Sequence, residues 1–310
     1  MNRVADFHCD LLWYLSNDLK RGVHDPESQC SAPLLKEGGV AVQTFPIYTV
    51  TRTHSVREGT KQFEIFDKLS HLDPDFFGPR MRYKLAIENA SGFCSEEELL
   101  EEGLKRLESW LQKYPIVYIS FTWNEENRFG GGAETNIGLK EDGKKLLEWM
   151  SGKKIAVDLS HASDVMAEAI LKEIETLDVM PIASHSNFRA VCSQPRNLPD
   201  HLALAIAARG GLIGLNMVRH FLGKNGPHDI IAHIKYAQEL GIENHLCLGT
   251  DFFPEQDVSE AKAHMRPYFF EGFSTPACYP ELRKILLSAF TEEFVDSLMY
   301  YRLNHFLETQ

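Results

Sequence analysis

The sequence predicts an α/β chain folded as a single (β/α)8 barrel, with its chemistry at the C-terminal ends of the strands. Three observations lead there. Eight short apolar runs, each stopping at polar residues, alternate with helix-like segments. Each connection is long enough to cross over, which makes neighbouring strands parallel. Eight such units in 310 residues match the size of a closed barrel. A doubly wound open sheet would instead carry a Gly-rich turn after an early strand. The glycine cluster here, Gly130-Gly131-Gly132, follows the fourth run and reads as a mobile loop.

The expected strands are Val4–Asp10, Gly39–Pro46, Tyr83–Glu88, Ile116–Trp123, Ile155–His161, Met180–His185, Leu212–Met217 and Leu246–Asp251. After the third, Ser95 with Glu98 three residues on forms a capping-box pattern that starts a helix. Leu100, Leu104, Leu107 and Leu111 continue it as one apolar face. Met166, Ile170, Ile174 and Leu177 repeat that spacing after the fifth strand. Further helices are expected at Gly143–Met150, Pro199–Ala208, Asp229–Leu240 and Pro280–Phe290. A last one, Glu292–Leu307, should close the outside of the barrel. With no linker, repeat or shift in composition, residues 1–310 read as one domain.

Composition narrows the function class. A hydrophobic fraction of 44% with 25% charged residues excludes disorder and low complexity. The net charge of 32 − 44 = −12 argues against nucleic acid or an anionic membrane as partner. No run approaches the roughly 18 apolar residues of a membrane span, and neither a secretory leader nor a hydrophobic C-terminal tail is expected. The six scattered cysteines, with no CxxC pair, fit free thiols in a reducing compartment, so a cytoplasmic enzyme is expected.

The strand ends carry an unusual set. The first run ends in His8-Cys9-Asp10, where residues i and i+2 share a face and Cys9 points away. The third ends in Glu88, a carboxylate that is costly to bury unless paired or bound to a cation. The fourth ends in Trp123-Asn124, the fifth in His161, the sixth in His185 and the eighth in Asp251. Taken singly, each has a plain alternative: a His–Asp pair, an exposed glutamate, a core histidine, a turn-forming aspartate. Their shared placement on one rim favours a metal site. His24, His54, His71, His220 and His305 lack that placement and are not expected as ligands. Imidazole and carboxylate without thiolate suit zinc or another borderline divalent metal. A glutamate has two oxygens and can serve two ions bridged by water.

On these residues the chain resembles the renal, or membrane, dipeptidases, the zinc dipeptidases of peptidase family M19 in the amidohydrolase superfamily. The resemblance runs along nearly the whole chain. It is carried by DFHCD at 6–10, AIEN at 86–89, DLSHAS at 158–163, ASHSNFRAVCSQPRNLPD at 183–200 and LGTDF at 248–252. It implies two zinc ions, one on His8 and Asp10, the other on His161 and His185, with Glu88 bridging. It makes Asp251 the proton-shuttling carboxylate and Arg196 the grip on the substrate's free carboxylate, which a guanidinium binds bidentately. It also implies a dipeptide substrate, attack by a metal-bridging hydroxide and a homodimer. The chain departs from the mammalian pattern at Trp123, where those enzymes carry a substrate-contacting histidine. Trp123 and Asn124 are therefore the residues expected to shape the substrate pocket, with Asn124 an alternative donor to the oxyanion. Hydrolysis of another small amide, an N-acyl amino acid or a β-lactam-like ring, is the second reading. A catalytically silent binding barrel is the third.

Overall fold

A computed structural model of the chain describes residues 3–78 and 81–309. Its strands are β1 (Val4–Asp6), β2 (Val40–Tyr48), β3 (Arg82–Glu88), β4 (Ile116–Ser120), β5 (Ala156–Asp158), β6 (Pro181–Ile182), β7 (Ile213–Leu215) and β8 (Leu246–Leu248). All pair in parallel, in the order β6-β5-β4-β3-β2-β1-β8-β7. A parallel bridge between Ala183 and Ile213 joins the two ends. The (β/α)8 expectation therefore holds. At this seam Gly214 and Gly249 are obligatory, because a Cβ on either would meet the Ser184 carbonyl oxygen at 1.9 Å.

The barrel interior and the layer between strands and helices form separate cores. Inside, small Ala5, Ala86 and Ala156 leave room for Phe7 and Tyr118. The C-terminal segment supplies the rest of that core and departs from expectation. It runs as helix Glu292–Asp296, a wider turn at Ser297–Tyr301 and helix Arg302–Thr309. Tyr300, Leu303, Phe306 and Leu307 plug the barrel rather than cover its outside, with Phe306 edge-on to Phe7 at 5.6 Å. Arg302 donates to the carbonyls of Glu243 and Leu246 at the start of β8, which places the plug at the N-terminal mouth.

Every other expected helix forms within a few residues of its predicted bounds, except the one after β3. That helix begins at Leu100, not Ser95. The Ser95 N–H still donates to Glu98 at 2.8 Å, and Arg106 binds both Glu98 oxygens. The capping contact thus forms a turn ahead of the helix. The glycine cluster also differs from an open loop. Gly130, Gly131 and Gly132 are buried, and a Cβ on Gly132 would meet the Trp123 carbonyl at 2.0 Å. They let this segment pack directly beneath Trp123-Asn124. No helix among the described residues is long and apolar enough to cross a membrane.

Candidate metal centre and active site

Most apolar runs outlast their strands by about three residues at the C-terminal end, and those residues form the site. Two buried aspartates turn the chain there. Asp6 accepts from the N–H groups of His8 and Thr250 and from the hydroxyls of Thr250 and Tyr279, tying β1 to β8. Asp158 accepts from the Ser120 hydroxyl and from the N–H and hydroxyl of both Ser160 and Ser184, tying β4, β5 and β6. The same-face placement of His8 and Asp10 survives, with Cys9 turned into the core, although residues 7–10 are no longer a regular strand.

His8, Asp10, Glu88, His161, His185 and Asp251 converge. Glu88 Oε1 lies 2.9 Å from His161 Nε2, and its Oε2 lies 3.2 Å from His8 Nε2. His8 Nε2 is 3.8 Å from Asp251 Oδ1 and 4.0 Å from Asp10 Oδ1. Two groups have ligand atoms all within 4.8 Å of one another: His8, Glu88 and His185, and His8, Asp10 and Asp251. His8 belongs to both.

The hydrogen bonds behind the rings decide what faces the centre. His161 Nδ1 is 2.8 Å from Asn124 Oδ1, an acceptor. His185 Nδ1 is 2.7 Å from Ser184 Oγ, whose hydrogen goes to Asp158 Oδ2. His8 Nδ1 is 2.8 Å from the Tyr118 hydroxyl, whose hydrogen goes to the Phe7 carbonyl. Each ring therefore carries its proton on Nδ1 and turns a bare Nε2 lone pair inward. His161 and His185 Nε2 stand 2.8 Å apart, two lone pairs in repulsion. His8 Nε2, Asp10 Oδ1 and Glu88 Oε2 are buried with no hydrogen-bond partner. Such orphaned acceptors are costly unless a cation satisfies them, and a mixed imidazole–carboxylate set fits a divalent ion of the zinc type.

Electrostatics agree. Burial pushes the Glu88 carboxyl up to about 8 and Asp251 up to about 6, and lifts Asp10 well above its ordinary range. Burial also drives His161 and His185 well below theirs. Burial thus disfavours the charged form of these five groups, and a bound cation reverses that preference for the carboxylates.

A cavity of about 1520 Å³ opens above the cluster. Arg196 lines it, buried, with Nη2 3.2 Å from His161 Nε2 and Nη1 on the Ser160 carbonyl. No carboxylate among the described residues pairs with it, so a structural salt bridge is not its role. Trp123 forms one wall with Tyr48 and Trp13, each ring edge-on to the next. The Lys262 ammonium lies 4.4 Å from the Trp123 ring centre and 2.7 Å from Glu134, joining the loops after β8 and β4. Asn124 lines the cavity too, but its oxygen orients His161. Asp251 adopts a left-handed φ of 62°, which aims Oδ1 at the cluster while Asn216 fixes Oδ2 at 2.9 Å.

Asp158 and Ser184 lie within the motifs of the sequence but carry no assigned role there, and Tyr118 and Asn216 lie outside them. Ser184 offered a signal, being adjacent to His185. Tyr118 sits mid-strand among apolar residues and offered none.

The fold and site together define a parallel (β/α)8 barrel with a buried imidazole–carboxylate cluster at its C-terminal rim. The model of the membrane dipeptidase family, peptidase family M19, matches residues 2–300, and the chain belongs to that family. Among curated relatives, an uncharacterised Klebsiella pneumoniae protein from the pqqA 5′ region is 34% identical over 181 residues. That match covers 54% of this chain and 63% of the relative. Dipeptidase 3 of Rattus norvegicus is 27% identical over 238 residues, covering 68% of this chain and 46% of its own. The chain thus spans about half to three fifths of these relatives' length. A Rhodobacter sphaeroides metallo peptidase, liganded with a phosphinate mimic of L-Ala-D-Ala, superposes with a TM-score of 0.81 at 19% identity. It covers 99% of this chain and 98% of its own. A second solved structure, a dipeptidase of family M19, gives 0.81 at 20% identity with the same coverage. At these identities the likeness establishes the fold.

Proposed function

We propose that the chain is a metal-dependent dipeptidase, acting as one domain over residues 1–310. The observation that carries this reading is the cage of three inward Nε2 lone pairs and three carboxylates, in a chain of the membrane dipeptidase family. His8, Asp10, Glu88, His161 and His185 would hold two divalent ions, zinc being the best fit to the donors. Bound there, such ions would supply Lewis acidity that polarises a peptide carbonyl and lowers the pKa of a coordinated water toward neutrality.

The chain's own residues do the rest. Arg196 presents to the cavity a guanidinium with no carboxylate partner among the described residues, suited to a terminal carboxylate, and so restricts substrates to short peptides. Asp251 Oδ1, free because Asn216 holds the other oxygen, takes the water's proton and passes it to the leaving amine. The Trp13–Tyr48–Trp123 wall excludes water and packs against substrate side chains. The dipeptide mimic bound by the Rhodobacter sphaeroides neighbour supports this substrate class. Six free cysteines support a reducing, cytoplasmic setting.

Purified chain loaded with zinc, assayed on a panel of dipeptides and N-acyl amino acids, tests the reading. Faster turnover of dipeptides is expected. Turnover confined to N-acyl amino acids, or none with metal bound, contradicts it.

A further inference from the structure

The tyrosine that closes β2 has chemistry the mechanism above leaves unused. Tyr48 is the register partner of Glu88. Paired residues of parallel strands point to the same face, so the phenol stands beside the central carboxylate and lines the cavity. Its position is fixed twice over. Gln62 accepts from the Tyr48 N–H at 3.1 Å and donates to its carbonyl at 2.6 Å. Its ring is held edge-on between Trp13 at 5.2 Å and Trp123 at 5.4 Å. Among the described residues the hydroxyl has no hydrogen-bond partner. The surrounding site is rich in acceptors, namely Asp10, Glu88 and Asp251, while Arg196 is the group suited to a terminal carboxylate. Asn124, whose oxygen is tied to His161, keeps an amide N–H on the cavity wall. The Tyr48 phenol, a rigid, neutral and unengaged O–H donor beside Glu88, is the donor placed next to the central carboxylate to meet an oxygen that gains charge during reaction.

We propose that Tyr48 is a catalytic residue whose phenol donates a hydrogen bond to the scissile carbonyl oxygen as it becomes the tetrahedral oxyanion. The inference rests on the amide-hydrolase reading above. As the water oxygen bonds to the carbonyl carbon, the C=O π pair moves onto oxygen. The phenol keeps its proton throughout, so its contribution is to stabilise charge.

Tyr48→Phe tests this, because it keeps the ring between the two indoles and removes only the donor. The expected result is a fall in kcat of about 10–100-fold, with KM within about twofold and metal content unchanged. Affinity for a phosphinate dipeptide, which carries the tetrahedral oxygen, should fall by a similar factor. Wild-type kinetics in the variant overturn the proposal, as does a rise in KM alone or a loss of bound metal. If the parent chain turns over dipeptides and the variant does so equally, Tyr48 alone is refuted. If the parent turns over none, the dipeptidase reading falls and the role of Tyr48 with it.

Discussion

His8 sits at the centre of the site because of a residue that no motif contains. The Tyr118 hydroxyl accepts its Nδ1 proton from inside the barrel core, leaving Nε2 to face Glu88, Asp10 and Asp251. Tyr118→Phe should leave the fold intact and weaken metal binding about 10–100-fold, read by competition with a chelator of known affinity. An unchanged affinity would mean that the hydroxyl does not orient the ring. Asp251→Asn makes the opposite separation. The amide keeps the shape and the bond to Asn216 can re-form, but no proton can be shuttled. Metal content should hold while kcat falls about 10²–10⁴-fold. Full activity in that variant would remove Asp251 from the mechanism. At this scale the sequence was informative for residues that interrupt an apolar run at its end, because a charge or imidazole there needs a reason. It was silent on Tyr118 and Asn216, whose roles depend on which atom each one meets across the barrel.

The elements meet at the two buried aspartates. The five bonds accepted by Asp158 hold three strand ends in the geometry that aims His161 and His185. Asp158→Ala would take the shared acceptor from three serine hydroxyls and two N–H groups in the interior. Chemical denaturation should show a loss of about 3–5 kcal/mol. A loss below about 1 kcal/mol would show that Asp158 does not fasten the strands. The same bonds explain why the apolar runs read longer than the strands: hydrophobicity continues to the rim, but side-chain acceptors replace the strand ladder there. Strand count and parallel pairing were legible because the alternation of runs and helices dictates them. The C-terminal plug was not. Its pattern of Tyr300, Leu303, Phe306 and Leu307 identifies a buried helix face without saying what covers it.

Over the whole molecule, the −12 charge includes three acids gathered at one site, and their titration couples stability to metal. In the metal-free chain Glu88 keeps its proton up to about pH 8, whereas the unfolded chain releases it near its usual 4.5. The folded state binds more protons in that window, so stability falls as pH rises through it. His161 and His185, lowered by burial, act in the opposite direction, but only below their usual 6.5. Between pH 6.5 and 8 the raised carboxyls of Glu88 and Asp10 set the slope of this cluster, both in the same direction. Chelated protein should therefore melt at a lower temperature at pH 8 than at pH 6.5, with Glu88 alone contributing the equivalent of about 2 kcal/mol. Added zinc should raise Tm and flatten that dependence; a chelated protein with no such slope would contradict the burial argument.

The cage of inward-facing ligands is the central claim, and a metal titration reads it most directly. Chelated chain receives stepwise zinc while dipeptide hydrolysis and bound metal are measured together. The account predicts negligible turnover without metal and a rise that saturates at two ions per chain. Undiminished hydrolysis in the chelated chain, or two bound ions with no hydrolysis of any dipeptide, would contradict it.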